Sequence, residues 1–141
     1  MTTPIHEGGC LCGAIRYRVT GTPTALTLCH CATCRRASGA PSVAWAVFHA
    51  GDFAFVAGEP KRFHSSPPVT RSFCAGCGTP LTYQSESRAD FMDVTTATFD
   101  LPDRFAPACE IWTGQKLAWE VLSETRPLYP RSSKEAPGSA A

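Results

Sequence analysis

Cys29-His30-Cys31-Ala32-Thr33-Cys34, followed at once by Arg35 and Arg36, is the stretch on which the reading of this chain turns. It packs three thiols into six residues and ends in two positive charges. Residues two apart in an extended segment point to the same side, so Cys29 and Cys31 aim at one point while His30 alternates away. Residues three apart share a face of a helical turn, which gathers Cys31 and Cys34 if a turn begins here. Three sulfurs converging with no fourth cysteine nearby is the ligand arithmetic of an open zinc site, with one position left for water or substrate. A closed structural site uses four ligands. The rest of the chain is expected to build a rigid floor under this segment.

Working outward, Cys74-Ala75-Gly76-Cys77-Gly78 is the strongest local signal. Two thiolates at that spacing bind one zinc from a tight turn, and the following glycine supplies the positive φ the turn needs. Such a knuckle provides only two ligands. Cys10-Leu11-Cys12-Gly13 offers two more, which pairs Cys10, Cys12, Cys74 and Cys77 around a structural zinc clamping the N-terminal strand to a central hairpin. A structural zinc contributes on the order of 10 kcal/mol to folding. The other pairing, with Cys10 and Cys12 beside the triple cluster, strands the two ligands of the knuckle and stays open at this point. So does a metal-free or redox-active cluster. Three thiolates on Zn2+ carry one excess negative charge, which Arg35 and Arg36 are placed to offset while attracting an anionic thiol substrate. Two solvated arginines on a short helix are the plainer alternative.

Between these clusters the pattern is mostly β. Ile15, Tyr17 and Val19 alternate with Ala14, Arg16 and Arg18 in a half-buried strand. Ala25 to Cys29 reads as a strand delivering the triple cluster, and Cys34 to Ser38 as a short helix closed by Gly39. Val43 to Phe48 and Phe53 to Ala57 are further strands, with Trp45 and Phe48 in the core. Lys61 to Ser65 adds an edge strand, and Val69 to Phe73 with Leu81 to Gln84 form a hairpin tipped by the knuckle. Phe91 to Thr98 and Cys109 to Trp112 complete the set, while Lys116 to Leu122 fits a strand or a helix equally. Residues 1–130 are expected to form a single zinc-binding domain and residues 131–141 a flexible tail with little to bury.

A chain of 141 residues is one ordinary domain with no need of disulfide staples. A net charge of +1 provides no field for a nucleic-acid backbone, and zinc-bound thiolates would lower it further. There is no apolar run long enough to span a membrane. Met1 to Gly9 lacks a basic segment followed by an apolar one, so a cytoplasmic location is expected. In that reducing compartment eight cysteines are read as metal ligands before disulfides.

At its cysteines the chain resembles the glutathione-dependent formaldehyde-activating enzyme family, which includes centromere protein V. The likeness rests on Gly9-x-Cys-x-Cys-Gly13, Cys29-His-Cys-x-x-Cys-Arg35, Gly39 and Arg71-x-Phe-Cys-x-x-Cys-Gly78, and covers roughly residues 8 to 125. The resemblance implies a β-tent fold of packed antiparallel sheets with zinc knuckles and one short helix. It implies two zincs per chain, a structural one on Cys10, Cys12, Cys74 and Cys77 and a catalytic one on Cys29, Cys31 and Cys34. The implied activity is that of a carbon-sulfur lyase, reversibly joining formaldehyde to glutathione as S-hydroxymethylglutathione. Many relatives place a histidine before the apolar pair of the last strand, where this chain has Glu110-Ile111-Trp112.

Cys109 stands alone and reads as a small buried hydrophobe. Asp93 and Glu110 read as solvent-facing carboxylates, the sharper alternative being proton carriers. His30 reads as a packing or supporting residue, and His6, His49 and His64 as surface residues. Besides the lyase, two other functions stay in view: a non-catalytic zinc-stabilised interaction module, and a redox protein using Cys109.

Overall fold

The computed structural model of the chain describes residues 2–133. Residues 134–141 of the expected tail lie outside the described residues, while the Arg131 carbonyl accepts a hydrogen bond from the Trp112 amide at 2.9 Å. The fold is mostly β, as expected. Its strands are β1 (Ile5–Gly9), β2 (Arg16–Thr20), β3 (Ala25–Cys29), β4 (Val43–His49), β5 (Phe53–Ala57) and β6 (Lys61–Ser66). They continue with β7 (Val69–Phe73), β8 (Pro80–Ser85), β9 (Phe91–Thr95) and β10 (Cys109–Ile111). Helix α1 (Ala32–Ser38) is the single α-helix among the described residues, and none there is long and apolar enough to cross a membrane. The chain divides into two compact units: residues through Thr24 with Ala46–Phe105, and Ala25–Trp45 with residues from Ala106 on.

In the first unit β1, β2 and β5 form a three-stranded antiparallel sheet. Tyr17 and Val19 of β2 are fully buried and Arg18 faces solvent, which is the period-two alternation of a half-buried strand. Strand β1 has no such signature, because Gly8 and Gly9 are poor strand formers. Its glycine has a packing reason: Gly8 faces Tyr17, and a Cβ there would collide with the Tyr17 hydroxyl and the Thr98 carbonyl. That hydroxyl is fixed by Thr98 Oγ1 at 2.8 Å. Phe99 and Phe105 pack 4.5 Å apart by ring centroids, with the Tyr17 ring edge-on to Phe99 at 5.3 Å. His6 departs from its surface reading, since it sits half-buried with its ring 4.9 Å from Phe105 and its Nε2 hydrogen-bonded to the Gly21 carbonyl at 3.0 Å.

The same unit carries the run β4-β9-β8-β7-β6 of a larger sheet, its last four strands antiparallel. Phe63, Arg71, Tyr83 and Asp93 are successive cross-strand partners in one row. The Arg71 guanidinium lies over the Tyr83 ring at 5.0 Å, and Arg88 reaches Asp93 at 3.6 Å. Asp93 therefore departs from the solvent-facing reading. Burial pushes its carboxyl up to about 6, against the opposing pull of Arg88 and Arg71.

In the second unit the order is β10-β3-β4, where β4 contributes its first residues. Strand β10 pairs with β3 in parallel, Glu110 opposite Leu28 and Ile111 opposite Cys29. An all-antiparallel pattern is lost here because the chain returns to β3 after a long excursion, and parallel neighbours need such a crossover. The strand stops one residue short of the expected Trp112, which takes a left-handed conformation with φ 56° and turns the chain into Thr113–Gln115. Residues 116–122 form neither strand nor helix, and Trp119 and Val121 are exposed.

Gly8→Ala is expected to lower stability by about 1–3 kcal/mol, the usual cost of an added methyl without room, with chemical denaturation as the check. Asp93 has a folded pKa above its ordinary 3.8, so the folded state binds its proton more readily. Its stabilising contribution is present below about pH 4 and is lost as pH rises through 6, by at most about 3 kcal/mol. The stability difference between Asp93→Asn and the wild type should therefore shift in favour of the variant between pH 4 and 7, and an unchanged difference would refute this.

Candidate metal centres

The first centre is built by two strand-connecting turns of the first unit. Between β1 and β2, the Gly13 amide bonds the Cys10 carbonyl at 3.1 Å and the Ile15 amide points at Cys10 Sγ at 3.2 Å. Between β7 and β8, the Gly78 amide bonds the Cys74 carbonyl at 2.8 Å and the Cys77 amide points at Cys74 Sγ at 3.4 Å. Each turn is closed by a glycine in the left-handed region, Gly13 at φ 81° and Gly78 at φ 80°. Thr79 joins them: its Oγ1 accepts from the Leu11 amide at 3.1 Å and lies 3.2 Å from Cys77 Sγ.

These turns bring the sulfurs of Cys10, Cys12, Cys74 and Cys77 within 4.8 Å of one another. Cys10 and Cys12 are 3.6 Å apart and Cys12 and Cys74 3.7 Å. A tetrahedral site with Zn–S bonds of about 2.3 Å has sulfur-sulfur edges of about 3.8 Å, so the spacing fits Zn2+. A disulfide would need about 2.05 Å, and all eight cysteines are free. The Thr79 hydroxyl, then its amide, then that of Cys12 pull the Cys77 thiol down to about 5. The Ala14 amide favours ionisation of Cys12, but the sulfurs of Cys10, Cys74 and Cys77 outweigh it and push that thiol up to about 11. Four thiolates at this spacing repel one another until a dication joins them. The group can hold a metal ion.

The second centre lies within the second unit. Cys29 ends β3, Cys31 caps α1 and Cys34 lies in its first turn. The Cys31 sulfur takes the place a serine or aspartate oxygen usually holds, accepting from the Cys34 amide at 3.3 Å. Gly39 ends the helix in the left-handed region with its amide on the Arg35 carbonyl at 2.7 Å. The helix thus spans Ala32–Ser38, starting two residues before the expected Cys34. Its first amide, that of Ala32, is met by the Gln115 side chain at 2.9 Å, which the left-handed turn at Trp112 helps to place.

The three sulfurs lie within 4.8 Å of one another, and no fourth His, Cys, Asp or Glu joins them among the described residues. Cys29 and Cys34 are buried and Cys31 is half-buried. The sulfurs of Cys31 and Cys34, followed by burial, push the Cys29 thiol far up. Three thiol donors with no fourth such donor among the described residues fit the zinc arrangement in which one position stays free. Arg35 is half-buried and directs Nε to the His30 carbonyl and Nη2 to the Gln115 carbonyl, both at 3.4 Å, while Arg36 is exposed. Cys109 is half-buried and burial pushes its thiol up, opposite to the shift that activates a nucleophile.

Glu110, like Asp93 and His6, departs from its sequence reading. It is 1% exposed rather than solvent-facing, and its Oε1 meets His30 Nε2 at 2.8 Å. The partners are 80 residues apart, so no local pattern joins them. A charge between Cys109 and Ile111, on the inward side of a short strand, was the available sign. Thr79 and Gln115 also escaped notice, since a threonine after a knuckle glycine and a glutamine in a loop are ordinary residues.

Comparison with known proteins agrees with this geometry. A crystal structure of a Rhodobacter sphaeroides protein is similar over 67% of this chain and 87% of that one, with 24% identity and a TM-score of 0.57, a likeness of fold. Among curated proteins none matches significantly. The family model for glutathione-dependent formaldehyde-activating enzyme matches residues 5–115, a span holding both sulfur clusters and Glu110. The chain belongs to the glutathione-dependent formaldehyde-activating enzyme family.

Proposed function

We propose that this protein is a zinc-dependent carbon-sulfur lyase that reversibly joins formaldehyde to glutathione or a similar thiol. The observation that carries the reading is the three-sulfur cluster of Cys29, Cys31 and Cys34, with no fourth donor beside it among the described residues, in a chain of this family. In this reading those three residues hold a catalytic zinc. Cys10, Cys12, Cys74 and Cys77 hold a structural one in the first unit. Residues 1–130 act together as one functional domain.

A zinc held by Cys29, Cys31 and Cys34 would supply Lewis acidity that lowers the pKa of an incoming thiol while leaving its sulfur nucleophilic. The addition forms one sulfur-carbon bond to the aldehyde carbon. The thiol gives up its S–H proton to water, the carbonyl π pair moves to oxygen, which takes a proton back from water, and the reverse step returns both reactants. The chain's own residues orient the thiol. Exposed Arg36 is available for a carboxylate of a glutathione-like substrate. Arg35, with its two bonds to backbone carbonyls, adds positive charge beside the thiolates while it holds the loop. The cytoplasm, where glutathione is abundant and thiols stay reduced, suits this chemistry.

The test is exchange spectroscopy of formaldehyde with glutathione, with and without the protein. Faster exchange near neutral pH is expected; unchanged exchange would leave a zinc-stabilised interaction module as the better description. Cys34→Ser should remove one of two zincs and the acceleration together, with little change in melting. Cys74→Ser should remove the other zinc and several kcal/mol of stability, set against about 10 kcal/mol for a structural zinc. Elemental analysis and thermal melts separate the two outcomes.

A further inference from the structure

The second unit holds a polar chain, its histidine and glutamate buried, that the lyase chemistry does not use. His30 is 0% exposed and Glu110 1%. Glu110 Oε1 accepts from His30 Nε2 at 2.8 Å, and Oε2 accepts from the Ser123 amide at 2.8 Å and forms an ion pair with Arg126 Nη2 at 3.3 Å. His30 Nδ1 is buried without a hydrogen-bond partner among the described residues, so the bond to Glu110 selects the orientation of the ring. The main chain of His30 is held too: its amide bonds the Ile111 carbonyl at 3.0 Å and its carbonyl accepts from Arg35 Nε at 3.4 Å.

We propose that half-buried Arg126 and the buried pair Glu110 and His30 form a positioning chain that aims Cys29 and Cys31 into the three-cysteine centre. The proposal rests on reading that centre as a zinc site. His30 stands between the two cysteines, and in an extended segment its ring leaves the backbone on the side opposite their sulfurs. Pinning the ring therefore pins the sulfurs. Glu110 is suited to that task because β10 pairs with β3 at this very point, Ile111 opposite Cys29. A fully buried carboxylate is costly unless paired, and here the amide of Ser123 and the guanidinium of Arg126 compensate it. Removing the carboxylate releases the ring and leaves Arg126 without its partner. A polar contact behind a metal-binding segment commonly governs affinity by about 10–100-fold.

The test is a Co2+ titration of the full chain against a competing chelator, following sulfur-to-cobalt absorption, with Cys34→Ser identifying the signal of the three-cysteine centre. Glu110→Gln, isosteric but uncharged, is expected to weaken that centre by about 10-fold and Glu110→Ala by up to about 100-fold. The four-cysteine centre should bind as in the wild type. Unchanged affinity in the glutamine variant, or an equal loss at both centres, would overturn the proposal. If the alanine variant does not fold, the glutamine variant decides by the same two outcomes. Wild-type protein that takes up two Co2+ but fails to speed formaldehyde exchange would contradict the lyase reading alone.

Discussion

Sulfurs crowded within bonding range of one point resist ionising together, and this repulsion is the constraint on which both centres depend. The first unit places four sulfurs within 4.8 Å, drawn from turns that lie 62 residues apart at Cys12 and Cys74. Neither turn holds such a geometry by chance. Each is closed by a left-handed glycine and directs a backbone amide at a sulfur. A dication bound there would convert the repulsion into attraction, and a closed four-thiolate zinc site adds on the order of 10 kcal/mol to the stability of a small fold.

The second unit solves a different problem. Its sulfurs come from one continuous segment, so the chain must bend sharply from β3 into α1 while keeping three side chains on one point. The Cys31 sulfur caps the helix it precedes, Gln115 covers the first helical amide, and Arg35 ties the loop to two carbonyls. Strand β10 lies alongside in parallel and carries Glu110 to the buried side of His30. None of these contacts supplies a fourth metal donor. They support the bend and leave one side of the sulfur cluster without a protein ligand among the described residues.

Much of this was legible because cysteine spacing is a local signal with a narrow physical meaning. The two-residue and three-residue gaps marked the cysteine segments that gather into the two sulfur clusters, glycine marked the knuckle turns, and Ala25–Cys29 and Val69–Phe73 carry their strand character in their own side chains. What escaped has a common origin in tertiary contacts. Strand β1 was hidden by glycines whose justification is the neighbouring Tyr17. The left-handed turn at Trp112 has no signature in its residue type, because a bulky aromatic rarely adopts positive φ. Asp93 and Glu110 looked like surface charges, and only the packing of distant strands and loops shows what surrounds them.

The central claim is that the second cluster holds a metal through three sulfurs and keeps one position for a thiol. X-ray absorption at the zinc edge of the purified chain, with and without glutathione, measures this most directly. The account predicts two zincs per chain, a mean sulfur count between three and four, and a rise toward four when glutathione is added. One zinc per chain, or a count of four that glutathione leaves unchanged, would contradict it.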